Sequence, residues 1–166
     1  MNFVNRRNNN NHLQDLFRVL DTVVQARTDG VEGLMAVRLD ISGPSIAMPR
    51  PRFVLRPFPR IYQPMRQERN QLARKVIEAL EVVGYNDFPL AGTGSKLKLN
   101  AEFGTSNFNK DLDNQLKFLQ DALQGIIFEN DRWITKLEAE KIDVARRADE
   151  YIRFTVSIYR PTIEID

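Results

Sequence analysis

The sequence of 166 residues predicts an α+β domain, with a small mixed or antiparallel sheet of about four strands packed with two to three helices. Three observations carry this. Stretches with a two-residue apolar period and stretches with a helical period occur in groups, without the regular strand-helix alternation of a parallel-sheet fold. A hydrophobic content of 42% suffices for one core and leaves little room for a second, which excludes a modular enzyme. Cysteine is absent, which excludes a disulfide framework and a thiolate metal site. The longest apolar runs, such as Leu34 to Val37, fall far below the roughly 18 residues of a membrane span, so no membrane partner is expected. The opening MNFVNRRNNNN has no apolar signal-peptide core, and the cytoplasm is the expected compartment.

In chain order, residues 5–11 (NRRNNNN) form a low-complexity tract expected to be disordered. Leu13, Leu16, Phe17, Leu20, Val23 and Val24 then recur at helical spacing, predicting an amphipathic helix that Asp29-Gly30 ends. Residues 1–33 read together as an N-terminal extension and 34–166 as the main domain. From Leu34 to Ser42, Val37, Leu39 and Ile41 alternate with Arg38, Asp40 and Ser42, the period of a half-buried strand. Gln67 to Val83 reads as a helix with Leu72, Val76, Leu80 and Val83 on one face and Gly84 as its stop. A loop to about Lys96 follows. Its GTGS segment lacks the spacing of a phosphate-binding loop, and no strand precedes it. Leu97, Leu99, Ala101 and Phe103 alternate with polar residues to give a second strand. Asp111 to Gln124 reads as a helix with Leu112, Leu116, Leu119 and Leu123 inward, closed by Gly125. Two more strands are expected near Trp133–Ile142 and Tyr151–Tyr159, joined by the charged turn DVARRADE.

Net charge is only +2, yet it is unevenly spread. Met48 to Lys75 holds Arg50, Arg52, Arg56, Arg60, Arg66, Arg69, Arg74 and Lys75 against Glu68 alone, leaving the remainder net negative. A local positive surface attracts a polyanion whatever the total charge, and nucleic acid is the obvious candidate. Pro49, Pro51, Pro57, Pro59 and Pro64, with Phe53, Phe58 and Tyr62, are interleaved with these arginines. Proline fixes backbone dihedrals, so the segment reads as a stiff extended arm suited to phosphate contacts. A solvated basic face is the plainer alternative.

The most informative segment is NKDLDNQLKFLQDALQGIIFENDRWI, from Asn109 to Ile134. Asp111 and Asp113 stand two apart at a strand-to-helix junction, where an extended chain aims both carboxylates the same way. A helix dipole offsets part of their repulsion and a divalent cation offsets more. A magnesium site needs oxygen ligands and keeps several waters, so two or three carboxylates suffice. Lys117 lies one helical turn after Asp113, placed to neutralise it or to touch a phosphate. On spacing alone, a helix-capping aspartate and an ordinary surface pair explain these residues better.

The longer string changes this. DLDNQLK, then DALQG, then ENDRWI resembles the RusA family of Holliday-junction resolvases, whose pattern is D-x-D-N-x-x-K, D-A-L-x-G and an acidic turn ending in Asp two residues before a hydrophobic. The upstream PRPRF and Tyr62-Gln63-Pro64 resemble that family's proline-arginine segment, and the likeness runs from about Leu34 to Pro161. The resemblance implies a RusA-like fold for 34–166. It makes Asp111, Asp113 and Asp131 the catalytic, metal-binding aspartates and Lys117 the essential lysine. Asn114 matches the motif asparagine, Lys110 falls where members carry a basic residue, and Asp121 falls on a position better suited to structure than to metal. With the arm, the implied DNA-binding residues are Arg50, Arg52, Arg56, Arg60 and Lys110. Asn130 departs from the pattern, standing where many members have a further acid, and residues 1–33 have no counterpart.

The implied protein is a homodimeric endonuclease, dependent on Mg²⁺ or Mn²⁺, that binds a four-way DNA junction and nicks two strands symmetrically in recombination and repair. Carboxylate-held metal would activate a water, and metal and Lys117 would stabilise charge on the phosphoryl oxygens. No histidine base is needed, and the only one, His12, lies in the extension. Trp133 reads as core or interface. A catalytically inactive DNA-binding accessory protein with the same fold is the second reading. A D-x-D glycosyltransferase is the third, for which the chain is short and the basic arm has no use. Lengths pose a further question. A helix from Leu112 to Gln124 is roughly 20 Å long. The six residues Gly125 to Asn130 span at most about 20 Å, so Asp131 rejoins Asp111 and Asp113 in one chain only if they run straight back. The alternative is a site shared across a two-fold dimer. The apolar Ile126, Ile127 and Phe128 favour the single-chain site.

Overall fold

The computed structural model describes residues 15–26, 34–49, 52–54, 60–62 and 65–160. Its elements are β1 (Arg18–Ala26), β2 (Leu34–Ser42), β3 (Arg52–Val54), β4 (Arg60–Tyr62), α1 (Arg66–Val82), β5 (Leu97–Thr105), α2 (Leu112–Leu123), β6 (Ile134–Asp143) and β7 (Tyr151–Ile158). The main sheet runs β1-β2-β7-β5-β6, antiparallel except for the β5–β6 pair. The α+β architecture is the one the sequence predicts, with five strands in this sheet.

The alternating apolar residues form rungs across the three central strands: Val37, Val156 and Leu99, then Leu39, Phe154 and Ala101, then Ile41, Ile152 and Phe103. Each of these nine is buried. Leu72, Val76 and Leu80 of α1, with Leu116, Leu119 and Leu123 of α2, complete the core on that face. The other face is polar, where Asp21, Arg38, Asp40, Arg153 and Glu102 form a chain of ion pairs and Tyr151 donates to Glu102. Among the described residues no helix is long and apolar enough to cross a membrane.

Two expectations are corrected. The segment read as an amphipathic helix is the edge strand β1, paired with β2 from Arg18↔Ser42 to Ala26↔Leu34. The register shifts between Val19 and Asp21, so Leu20 is the extra residue of a bulge and is exposed. A bulge advances the side-chain phase by one residue. Phe17 and Val19 face inward before it and Thr22 and Val24 after it, which turns a two-residue period into one that passes for helical. The chain entering β1 is part of the fold: Phe17 is 2% exposed, and the Leu16 amide donates to Gln71 Oε1 of α1 at 3.2 Å. Gly43, with φ +151°, lets this segment approach, since a Cβ there would lie 2.6 Å from Leu16 O and 2.7 Å from Phe17 Cδ1.

The proline-arginine segment is the second correction. Instead of a single extended arm it contains a two-stranded antiparallel ribbon, with Arg52↔Tyr62, Phe53↔Ile61 and Val54↔Arg60 as partners. Arg50 and Arg56 lie outside the described residues, as does the asparagine tract.

Phe17→Ala should lower unfolding stability by about 3–5 kcal/mol, the usual cost of emptying a buried aromatic site. Urea denaturation followed by circular dichroism measures it; an unchanged midpoint would mean that residues 15–26 are not integral to the domain.

Candidate active site

β5 ends at Thr105, and a tight turn leads to Asp111 and α2. The turn is dense in bonds: the Thr105 hydroxyl donates to Asn107 O, the Asn109 amide to Asn107 Oδ1, and the Lys110 amide to Asn107 O. Lys141 of β6 donates from Nζ to Phe108 O at 2.9 Å and Lys110 O at 2.8 Å. Asp111 occupies the cap position of α2 in extended geometry, φ −70° and ψ 133°. Its carboxylate makes no capping bond to a helix amide and instead accepts from Asn114 Nδ2 at 3.2 Å. Asp113 is exposed in the first turn. Two acids therefore stand at the helix end where backbone N–H groups and the dipole favour negative charge.

α2 ends at Leu123, and the chain reverses through Gly125 at φ +83°, a conformation glycine adopts without penalty. The Ile126 and Ile127 amides donate to Leu123 O, while Leu90 and Ala91 donate to Ile126 O and Ile127 O. Ile126, Ile127 and Phe128 are buried, as their composition predicts. This turn carries the chain back along α2. Asn130 Oδ1 accepts from the Arg132 amide at 3.0 Å and caps a 3₁₀ turn that starts with Asp131. Arg132 stacks its guanidinium on Trp133, 4.8 Å from the ring centroid.

Lys117 joins the two parts. Its Nζ lies 2.7 Å from Asp121 Oδ1 and 3.7 Å from Asp131 Oδ2. The hydrogen bond to Asp121 is the chief reason the ammonium's pKa stands above the ordinary 10.5, with partial burial opposing and Asp131 adding to the rise. Within one chain the fold thus brings Asp131 to Lys117, Lys117 to Asp121, and Asp111 to Asn114. It does not draw Asp111, Asp113 and Asp131 into one cluster: among the described residues no three acidic or histidine side chains converge closely enough to hold one ion.

Lys110 points inward. Its Nζ donates to Ser45 O at 2.6 Å and lies 3.5 Å from Glu150 Oε1, with the side chain 25% exposed, a poor geometry for the DNA contact expected of it. Arg52 and Arg60 stand in the β3–β4 ribbon, of which only the backbone is described.

Glu150 escaped the sequence reading. It is 2% exposed and accepts from the Ser45 amide at 3.1 Å, the Ser106 amide at 2.9 Å and the Ser106 hydroxyl at 2.8 Å. Burial pushes its pKa up, but the donors of Ser106 and Ser45 and the charge of Lys110 outweigh it and hold the carboxyl below the usual 4.5. A signal existed: Ile152, Phe154 and Val156 face inward, and counting back by two reaches position 150.

The site thus consists of an acidic helix start on α2 and an acidic turn that Lys117 holds to the same helix. The family comparison supplies the class: the model of the family described as endodeoxyribonuclease RusA matches residues 43–159, over two-thirds of the chain. The chain belongs to the RusA endodeoxyribonuclease family, a family of DNA-binding nucleases that act on Holliday junctions in recombination. No curated protein matches it.

Removing the Asp121 charge should return Lys117 towards its ordinary pKa, since that hydrogen bond is the largest cause of the rise. An NMR titration of the Lys117 ammonium in Asp121→Asn protein checks this; a titration curve unchanged from wild type would contradict the pairing.

Proposed function

We propose that this protein is a homodimeric, Mg²⁺-dependent junction resolvase that places paired, symmetric nicks in four-way DNA during recombination and repair. The single observation that supports it most is the Lys117 bridge, which ties the Asp131 turn to the helix whose start carries Asp111 and Asp113. The donor set is oxygen only, the chemistry of a hard cation, and Asp111 keeps its carboxylate out of capping bonds. Asp111, Asp113 and Asp131, which do not converge on one point in this structure, would have to draw together to hold the ion, with Mn²⁺ able to replace Mg²⁺. When bound, the metal supplies Lewis acidity and a water of lowered pKa.

The chain's own residues do the rest. Lys117 keeps its proton across the working pH range and offers positive charge to a phosphoryl oxygen as the bond breaks. Asn114 steadies Asp111 through its amide. The ribbon residues Arg52 and Arg60, with Arg50 and Arg56 beside them in sequence, contact phosphates and hold the junction.

Asp→Asn at 111, 113 or 131 should abolish Mg²⁺-dependent cleavage of a synthetic four-way junction while leaving junction binding intact; an Asp113→Asn protein that nicks at the wild-type rate would refute the assignment. Junction binding by wild type without any metal-dependent cleavage would favour the inactive accessory protein instead. Each of Arg52→Ala and Arg56→Ala should flatten the salt dependence of junction binding by about one unit of log-log slope. Fluorescence anisotropy across a salt series reads it, and unchanged affinity and slope in both would leave the segment a solvated face.

A further inference from the structure

We infer that Glu150 is a positioning residue for the cleavage site, acting through Ser106 and Lys110 on the segment that aims Asp111 and Asp113; the inference rests on the function proposed above. A carboxylate with a side chain 1% exposed is costly unless every lone pair is served. Here the donors come from two separate segments: the Ser45 amide from the stretch after β2, and the Ser106 amide and hydroxyl with the Lys110 ammonium from the stretch after β5. Both segments end on the start of α2. Lys110 directly precedes Asp111. On the other side, Gln115 Nε2 donates to Ser45 Oγ at 2.5 Å and the Met48 amide to Asn114 O at 3.0 Å. The Gly43 amide donates to the Glu150 carbonyl at 3.1 Å, so residues 43–48 are clamped between Glu150 and the first turn of α2.

Glu150 touches neither Asp111 nor Asp113 in any of these bonds. Its effect is to fix the direction from which the chain enters the helix. Neutralising it would weaken the hold on Ser106 and Ser45 and, among the described residues, leave the inward ammonium of Lys110 with Ser45 O as its partner.

The test uses full-length protein. Glu150→Gln keeps the shape and removes the charge, and should lower kcat for junction cleavage about 10- to 100-fold, the range for partners that orient active-site ligands, with junction affinity unchanged. Ser106→Ala, a milder change that deletes one hydrogen bond, should lower kcat about fivefold. In metal-free protein, ¹H–¹⁵N spectra should show both variants shifting amides from Ser106 to Asp113 while β2 and β7 amides away from Glu150 keep wild-type positions. Wild-type kcat and unmoved amides in the variants would overturn the inference, as would a loss of kcat, affinity and sheet amides together, which marks general unfolding. If Glu150→Gln does not fold, Ser106→Ala decides by the same two readings. If wild type cleaves no junction, the proposed function fails and the spectra alone judge Glu150.

Discussion

A buried carboxylate demands donors, and the chain around Glu150 is arranged to provide them. It directly precedes β7, whose alternating Ile152, Phe154 and Val156 lie at the centre of the sheet. Its side chain gathers the ends of β2 and β5. Neighbouring strands of one sheet are thereby joined at their ends as well as along their edges. The α2 helix starts where those ends meet, which ties the segment bearing Asp111 and Asp113 to the ends of β2 and β5. The constraint is pH-sensitive in a defined sense. A carboxyl held below its unfolded value contributes stability that is fully present above about pH 4.5 and is lost as pH falls through the folded value.

Two further devices complete the site's frame. Lys141 reaches from edge strand β6 to the carbonyls of Phe108 and Lys110, so the turn before Asp111 is held from that side too. Lys117 then spans α2 and the returning turn. An exposed ion pair of this kind contributes little to stability. Its value is geometric, because the ammonium that pairs with Asp121 and Asp131 holds the returning turn to α2 one turn beyond Asp113.

Much of this was legible in the sequence. The apolar alternation in β2, β5 and β7 predicts the rungs of the core, and the apolar spacing of α1 and α2 predicts their inward faces except at Val83, which lies past the end of α1 and is exposed. The D-x-D-N-x-x-K string and its acidic turn point to the right family. What was not legible has physical causes. The bulge at Leu20 shifts the phase of β1 and makes a strand imitate a helix. Prolines among the arginines suggest a stiff arm, but short strand pairing is still open to Arg52–Val54 and Arg60–Tyr62, which contain no proline. Lys110 reads as a DNA contact from its place in the family pattern; its partners Ser45 and Glu150 are 65 and 40 residues away and have no local signature.

The central claim is that each cleavage site is built from one protomer, with Lys117 drawing Asp131 back to the helix that bears Asp111 and Asp113. The intrachain approach of Asp131 to Lys117, at 3.7 Å, speaks for it, and the lack of convergence of Asp111, Asp113 and Asp131 within one chain speaks for a site divided between two subunits. The most direct measurement mixes Asp111→Asn protein with Asp131→Asn protein under conditions of subunit exchange, with wild type as the positive control, and follows nicking of a four-way junction. A site within one protomer leaves both sites of every heterodimer defective, so no nicking appears while wild type cleaves. A site shared across the dimer would regenerate one intact site per heterodimer, and recovered nicking would contradict the account.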